Sequence, residues 1–424
     1  METQEQNELM TRVGKGTPAG ELLRRYWHPI AAAVELEKSW TKPVTLLGEK
    51  LVLFKNRKGE IGLIDESCPH RRATFDYGMP TEQGIRCPYH GWEFNGKGEC
   101  VNQPFEKSAA FREKVKINGY PVKELGGMLF AYLGPLPAPE LPRYDGFIAT
   151  NAIRVLGHAV VPCNWLQIVE TSLDPVHAEW LHARNIEFLE EDKKLKTHVS
   201  ATHQMIDFRE FEHGITKHRL LEGQSEDTDD WKVGHPIVFP TMLAVGNGDP
   251  NRRSYVFQIR VPMDDTHTLH FWYHAYQPPE GAVVPPYLFE RLHLHEVPLR
   301  FEDGRYRTDH IDGQDAMAWV MQGPIADRTR ENLGASDLGI VLYRKMLKRE
   351  IEKVQQGQDP KGVIRDPKQN ERIDLPNEKD KKHFKGKFKD FQSMTHVRFS
   401  PVLDALSDVF APIEINNKEA QAVA

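Results

Sequence analysis

Two short segments, Cys68-Pro69-His70 and Cys87-Pro88-Tyr89-His90, constrain this 424-residue chain more than anything else in it. Each pairs a sulfur with an imidazole inside one tight stretch, and residues 71–86 separate them. Any fold this chain adopts has to bring the two loops to a common metal centre.

Two thiolates and two imidazoles are the ligand set of a Rieske [2Fe–2S] centre, in which the cysteines hold one iron and the histidines the other. Neutral imidazole donates less charge than thiolate, so reduction is less costly and the potential rises. A Cys₂His₂ set also binds zinc. Zinc fingers group the two cysteines in one pair and the two histidines in the other, whereas here each pair is mixed, each carries a proline, and the second runs on into Gly91-Trp92. The Rieske reading is therefore preferred, with a zinc-stabilised, non-redox binding protein as its rival. Respiratory Rieske loops are tied by a disulfide that uses a cysteine three residues after the first histidine. Ala73 stands there, so no such bond is expected. Cys100 and Cys163 are then expected to be buried and reduced, as in a cytoplasmic protein. High-potential loops also place Ser and Tyr hydroxyls near the sulfurs. Trp92 and Phe94 replace them, which points to the lower part of the Rieske range.

A chain of 424 residues is long enough for two or three domains. A free-standing electron carrier would leave most of it without a task. The net charge of −6 gives no reason to expect nucleic acid. No run of about 18 apolar residues suggests a membrane span, and the polar start Met1-Glu2-Thr3-Gln4-Glu5-Gln6 does not read as a signal peptide.

Residues 1–40 read as an N-terminal helical segment broken at Gly14-Lys15-Gly16-Thr17-Pro18, with Thr17 as N-cap and Pro18 at the first helical position. Residues 41–150 read as an all-β domain of short strands and Gly-rich turns, including a hairpin signal at Asn95-Gly96. The proline-rich stretch from Gly134 to Pro139 marks a boundary. Residues 151–424 read as α+β, an antiparallel sheet covered by helices: a helix near Asn164–Leu173, strands at Ser254–Pro262 and Thr266–Tyr276, and a long helix at Leu338–Val354. The stretch 355–390, rich in charge and including Lys379, Lys381, Lys382, Lys385, Lys387 and Lys389, reads as a solvated loop or arm, or as a dock for an acidic electron donor.

The larger domain carries Glu170-x-x-x-Asp174-x-x-His177-x-x-x-x-His182. Two histidines and one carboxylate form the facial triad of mononuclear Fe(II) oxygenases. Residues five apart on an ideal α-helix point about 140° apart, so convergence of His177 and His182 needs a π-type bulge or a break near Asp174-Pro175.

With these motifs the chain resembles the catalytic α subunit of Rieske non-haem iron ring-hydroxylating oxygenases, in the phthalate 4,5-dioxygenase-like branch that also contains aryl O-demethylases. The resemblance implies a β-rich Rieske domain plus a helix-grip catalytic domain. It implies that Cys68, His70, Cys87 and His90 bind the cluster, and that His177 and His182 bind Fe²⁺. The third ligand is an Asp far downstream, here Asp315 in Gln314-Asp315-Ala316-Met317-Ala318-Trp319, with Asp309 and Asp312 as neighbours. Asp174 is implied as a bridge to a Rieske histidine of the adjoining subunit, and it can also cap a helix. Gln167 and Glu170 are either supports around the iron ligands or ordinary buried polar residues. The chain has no G-x-G-x-x-G or P-loop of its own and too few cysteines for a plant-type ferredoxin domain. NAD(P)H electrons would therefore come through a separate flavin/iron–sulfur reductase or ferredoxin. The resemblance further implies O₂ as co-substrate, a homotrimer or stacked-trimer hexamer, and a small aromatic substrate, often a carboxylate. The reaction is then ring dihydroxylation or, alternatively, monooxygenation of an aryl methyl ether with loss of formaldehyde.

Overall fold

The first helices begin where threonine can cap them. Thr3 and Gln6 form a capping box on Gln4–Thr11, and the Thr17 side chain accepts from the Gly20 N–H at the start of Pro18–Leu23. The computed structural model describes residues 1–190, 202–249, 253–379 and 388–411. Helix does not run through to residue 40. Trp27–Ala32 is a strand, β1, and all six of its residues are buried.

Ten short strands follow before residue 133: β2 (Thr41–Leu46), β3 (Glu49–Lys55), β4 (Ile61–Asp65), β5 (Met79–Pro80), β6 (Ile85–Arg86), β7 (Glu93–Phe94), β8 (Cys100–Asn102), β9 (Gly119–Tyr120), β10 (Val122–Leu125) and β11 (Met128–Tyr132). They form antiparallel sheets in the orders β2-β3-β4-β9, β5-β6-β7-β8 and β1-β11-β10. The hairpin at Asn95-Gly96 forms with a longer loop than a two-residue turn. Asn95 N donates to Glu99 O at 3.0 Å, and Asn95 Oδ1 accepts from the Lys97 and Glu99 N–H groups. Between the two four-stranded sheets, Val52, Phe54, Ile64, Phe75, Ile85 and Phe94 pack around Cys68, Cys87 and Cys100.

The larger half is built on β12 (Ile153–Val161), β13 (His203–Phe211), β14 (Gly214–Leu221), β15 (His235–Val238), β16 (Met242–Asn247), β17 (Ser254–Pro262), β18 (Thr268–Tyr276) and β19 (His293–Glu296), in the order β13-β14-β15-β16-β17-β18-β12-β19. Only β12 and β19 run parallel. Period-two alternation gives this sheet two different faces. Phe257 and Tyr273 pack against Phe147, which in turn meets Phe130 of β11, so one face joins the two halves of the chain in one core. The other face holds the helices. Arg260 of β17 donates to Ser172 of the helix Trp165–Ser172, and His270 of β18 stacks on Trp319 of the helix Ile311–Met321. The long helix Leu338–Gln355 buries Ile340, Tyr343, Met346, Leu347 and Ile351.

Where it is described, the stretch after Gln355 is no solvated arm. Ile364, Ile373 and Leu375 join the main core, Asn370 and Glu378 are buried, and Ile373 bridges to Tyr144. The sequence is poor in apolar residues there, yet these three reach the core. Lys381, Lys382, Lys385 and Lys387 lie outside the described residues. No helix is long and apolar enough to cross a membrane among the described residues.

A buried charge cluster ties the helices together. Glu170 accepts from Arg328 at 2.7 and 3.1 Å and from Arg344 at 2.7 Å. Arg344 also reaches Glu331, and Arg328 reaches Asn7 of the first helix at 3.0 Å. Burial pushes the Glu170 carboxyl up, but Arg328 and then Arg344 more than offset it and hold it below its usual range. A depressed carboxyl stabilises the fold above its unfolded value and loses that contribution as pH falls through the folded one. Replacing Glu170 with Ala would leave two guanidinium groups buried without their shared anion. We expect a loss of about 3–5 kcal/mol, read as a lower thermal unfolding midpoint near neutral pH. An unchanged midpoint would remove this cluster from the account of stability.

Candidate metal centres

The two Cys/His loops are near-copies of each other. Cys68 N donates to Ala73 O at 2.8 Å, and Arg72 N returns a bond to Cys68 O at 2.9 Å. Cys87 N donates to Trp92 O at 2.8 Å, and Gly91 N returns to Cys87 O at 3.0 Å. In each loop the fifth residue takes a left-handed backbone, with φ 63° at Arg72 and 76° at Gly91. Glycine accommodates that conformation without strain, whereas arginine pays for it. The turns sink the cysteines and lift the histidines. Cys68 and Cys87 are buried and in contact, while His70 and His90 are exposed with ring centroids 4.5 Å apart. Trp92 stacks on His70 at 4.5 Å with its plane inclined by 9°. Burial, with Cys87 nearby, pushes the Cys68 thiol up to about 11. These thiols ionise only when a strong cation compensates them, as iron would. All four cysteines are free, in keeping with the missing loop disulfide.

The second centre depends on a broken helix. The helix Trp165–Ser172 stops before Asp174-Pro175, and Asp174 Oδ1 accepts from Val176 N at 2.8 Å and His177 N at 3.3 Å, capping the next turn. After one turn of α-helix at His177–Glu179, residues Trp180–Arg184 form a π turn. Its wider winding brings residues five apart to one side, and the rings of His177 and His182 lie 5.1 Å apart. Asp315, one turn into the helix Ile311–Met321, completes the group. Its Oδ1 lies 3.2 Å from His182 Nε2 and 3.8 Å from His177 Nε2.

These atoms suit a divalent metal. The three ligand atoms fall within 4.8 Å of one another. Asp315 Oδ1 is buried with no hydrogen-bond donor. Both rings are held through Nδ1, His177 by the Asp174 carbonyl at 2.5 Å and His182 by Gln314 Oε1 at 2.8 Å, so each presents Nε2 as a lone pair. Burial pushes His177 down to about 4 against the pull of Asp315, which keeps it a neutral donor. Burial also lowers His182, but the Asp315 carboxylate more than offsets it and the net direction is upward. Burial raises Asp315, and His182 and its other neighbours bring it below the usual carboxylate value, so it is ionised.

The other candidates fall elsewhere. Asp309 pairs with Arg307 and Arg398, and Asp312 accepts from the His396 N–H. Neither Gln167 nor Glu170 touches the histidines. Gln167 holds the Trp319 and Gly323 carbonyls and the Ala326 N–H, and Glu170 sits in the arginine cluster. The residue that orients His182 is Gln314, which the sequence reading passed over. Its one signal was its place beside Asp315. Lys217 and Arg260, on the sheet face turned toward the triad, were missed as well. Nothing in a single sequence separates a buried lysine from a surface one.

Residues 26–121 match the Rieske [2Fe-2S] domain family, and residues 301–380 match the family described as LigXa C-terminal domain like. The first match displaces the zinc reading. The chain is 44% identical over 379 residues to the 5,5'-dehydrodivanillate O-demethylase oxygenase subunit of Sphingobium sp., covering 88% of this chain and 86% of that one. It is 30% identical to the phthalate 4,5-dioxygenase oxygenase subunit of Pseudomonas putida, over 86% and 89% of the two chains. Among solved structures, the terminal oxygenase of carbazole 1,9a-dioxygenase from Novosphingobium sp. KA1 superposes with a TM-score of 0.59 at 22% identity, covering 82% of this chain and 99% of that chain, which shows the shared fold. With the loop geometry and near-full-length identity pointing the same way, the chain belongs to the Rieske non-haem iron oxygenases, as a terminal oxygenase α subunit that uses a [2Fe–2S] cluster, a mononuclear iron, O₂ and electrons from NAD(P)H.

Proposed function

We propose that this oxygenase removes the methyl group of an aromatic carboxylate's aryl methyl ether. The observation that carries this reading is the 44% identity to a dehydrodivanillate O-demethylase subunit across nearly all of both chains. The LigXa-like match spans Asp315 and so includes part of the site itself. Ring dihydroxylation is the second reading, favoured by the 30% identity to a phthalate dioxygenase subunit.

In this reading Cys68, His70, Cys87 and His90 hold the cluster, and His177 Nε2, His182 Nε2 and Asp315 hold Fe²⁺. Iron bound there supplies open coordination positions for O₂ activation. The protein's share of the chemistry is orientation and charge. Gln314 and the Asp174 carbonyl fix both imidazoles, and burial keeps His177 unprotonated. Asp174 caps its turn with Oδ1 alone. Its Oδ2 lies 3.8 Å from His177 Nδ1, and its side chain is 29% exposed, so Oδ2 remains available to a Rieske histidine of an adjoining subunit. Exposed Tyr89, beside His90, and exposed Trp180, beside the triad, offer apolar surface for that docking. We assign a homotrimer or stacked-trimer hexamer, fed by a separate reductase or ferredoxin, and cytoplasmic residence, which the four free thiols support. For domains we assign 1–40 as an N-terminal segment, 41–150 as the cluster domain and 151–424 as the catalytic domain.

Three outcomes test this. Incubation with 5,5'-dehydrodivanillate, O₂ and a matched reductase system should release formaldehyde in step with NADH use. A cis-diol without formaldehyde would favour the second reading. Gln314→Ala should weaken iron retention about 10–100-fold, measured by metal analysis after chelator dialysis, while the Rieske absorption stays. Full retention would show that His182 needs no such support. Asp174→Ala should slow single-turnover oxidation of the reduced cluster far more than it lowers iron content, and an unchanged rate would count against the bridge.

A further inference from the structure

Five cationic side chains are buried among the described residues: Arg24, Lys217, Arg260, Arg328 and Arg344. Three of them have a carboxylate. Arg24 meets Glu49 at 2.5 Å, and Arg328 and Arg344 share Glu170. Lys217 and Arg260 have none among the described residues. Arg260 spends its donors on neutral oxygens, Ser172 Oγ at 2.7 Å, Gln258 Oε1 at 2.9 Å and Gln258 O at 3.1 Å, and its Nε is buried without a partner. The Lys217 ammonium, on a residue 7% exposed, has no hydrogen bond or ion pair with a described side chain, although its backbone is paired in the sheet. Its strand neighbour Arg219 is paired with Asp230 at 3.1 Å, so unpaired charge is not general to this strand.

The two unpaired cations share a place. Following the antiparallel registers from Lys217 through His235, Ile237, Leu243 and Gln258 puts Lys217 and Arg260 on the same face of the sheet, the one that holds the helices. Both feel the charge of Asp315, and Lys217 also feels that of Asp174. Burial lowers Lys217 to about 8 and Arg260 to about 9. An uncompensated buried charge costs several kcal/mol. The neighbouring carboxylates do not remove this cost. A divalent metal held by the triad would take Asp315, and Asp174 caps its turn through Oδ1 and pairs with neither cation. Loading the centre therefore leaves this face with more positive charge than before. An anion is missing from it.

The geometry points to Lys217 as the residue that anchors a carboxylate of the substrate beside the iron triad, with Arg260 behind it raising the local positive potential. This rests on the aromatic-carboxylate reading above and names the residue that would select for it. An ammonium on a strand, backed by a fully buried guanidinium, fixes one end of an aromatic acid at a set distance from His177 and Asp315. Neutral analogues would leave the ammonium unpaired and be rejected on that ground.

The test uses the assembled holoenzyme, with both centres loaded and oxygen excluded so that no turnover occurs. Equilibrium dialysis compares 5,5'-dehydrodivanillate and phthalate, each against its diamide. Wild type should bind an acid at least about 100-fold more tightly than its amide. Lys217→Met should bring that ratio down close to one, leaving amide binding, iron content and the Rieske absorption as they were. Lys217→Arg should keep most of the preference. In steady state the Lys217→Met defect should appear in KM, with kcat within about threefold of wild type. The assignment is overturned if Lys217→Met keeps the acid preference, if it loses acid and amide binding alike, or if wild type binds neither acid. Formaldehyde release by wild type decides the O-demethylase reading separately, since it does not depend on which residue holds the acid.

Discussion

The turn between Asp174 and Arg184 is the constraint on which this chain's chemistry depends. A regular α-helix would send His177 and His182 to different sides, and no packing of the surrounding sheet could bring them back. The break at Pro175 and the π turn at Trp180–Arg184 cost regular helical hydrogen bonds, and local groups offset part of that cost. The Asp174 side chain caps the new turn, and its carbonyl takes the His177 ring. One residue thus restores a broken helix, orients a ligand and leaves a carboxylate oxygen facing outward. Under the proposed bridge the same residue would also stand on the electron path, which would join the structural repair to that path.

The cluster loops divide their ligands by burial. The cysteines sit in an apolar core with Phe75, Ile85 and Phe94, and the histidines stand in solvent. This sets a direction. The imidazole edge is the exposed side of this pair of loops, and in the proposed assembly it is where electrons would enter and leave. Trp92 stacked on His70 closes one flank of that edge with a flat apolar ring in place of a hydroxyl donor.

Much of this was legible because the chemistry is local in sequence. C-x-H and C-x-x-H pairs, a Thr-Pro helix start and the alternation from Tyr255 to Ile259 each report a structure made by neighbours. The need for a distorted helix followed from counting residues between His177 and His182. What escaped depends on partners far along the chain. Strand β1, Trp-His-Pro-Ile-Ala-Ala, is buried on both faces and so shows no alternation, and its proline argues against a strand until β11 is seen beside it. The segment after Gln355 looked solvated because its few apolar residues, scattered among many charges, show no period, although Ile364, Ile373 and Leu375 enter the core. Glu170 lies in the same motif as the iron ligands and was open to a role there. The two arginines that claim it come from residues 328 and 344, which no local pattern links to it.

The contrast between Glu170 and Asp315 shows how one domain uses buried charge in two ways. Glu170 accepts from arginines at both carboxylate oxygens and is finished as a structural element, holding its helix against the first helix and the long helix Leu338–Gln355. Asp315 is left with a bare oxygen between two imidazole nitrogens, and neither Lys217 nor Arg260 pairs with it. If either cation reached Asp315, the carboxylate would be satisfied and a metal would have to compete for it. Keeping them apart preserves the ligand for a divalent ion and keeps the positive face open to an anion. The sheet provides that separation. Strand positions are rigid, and Arg260 is tied to Ser172 and Gln258 by hydrogen bonds that spend its donors without neutralising it. Among the described residues the two buried cations without a carboxylate thus share one sheet face with the triad, while the equally buried Arg328 and Arg344 are paired through Glu170.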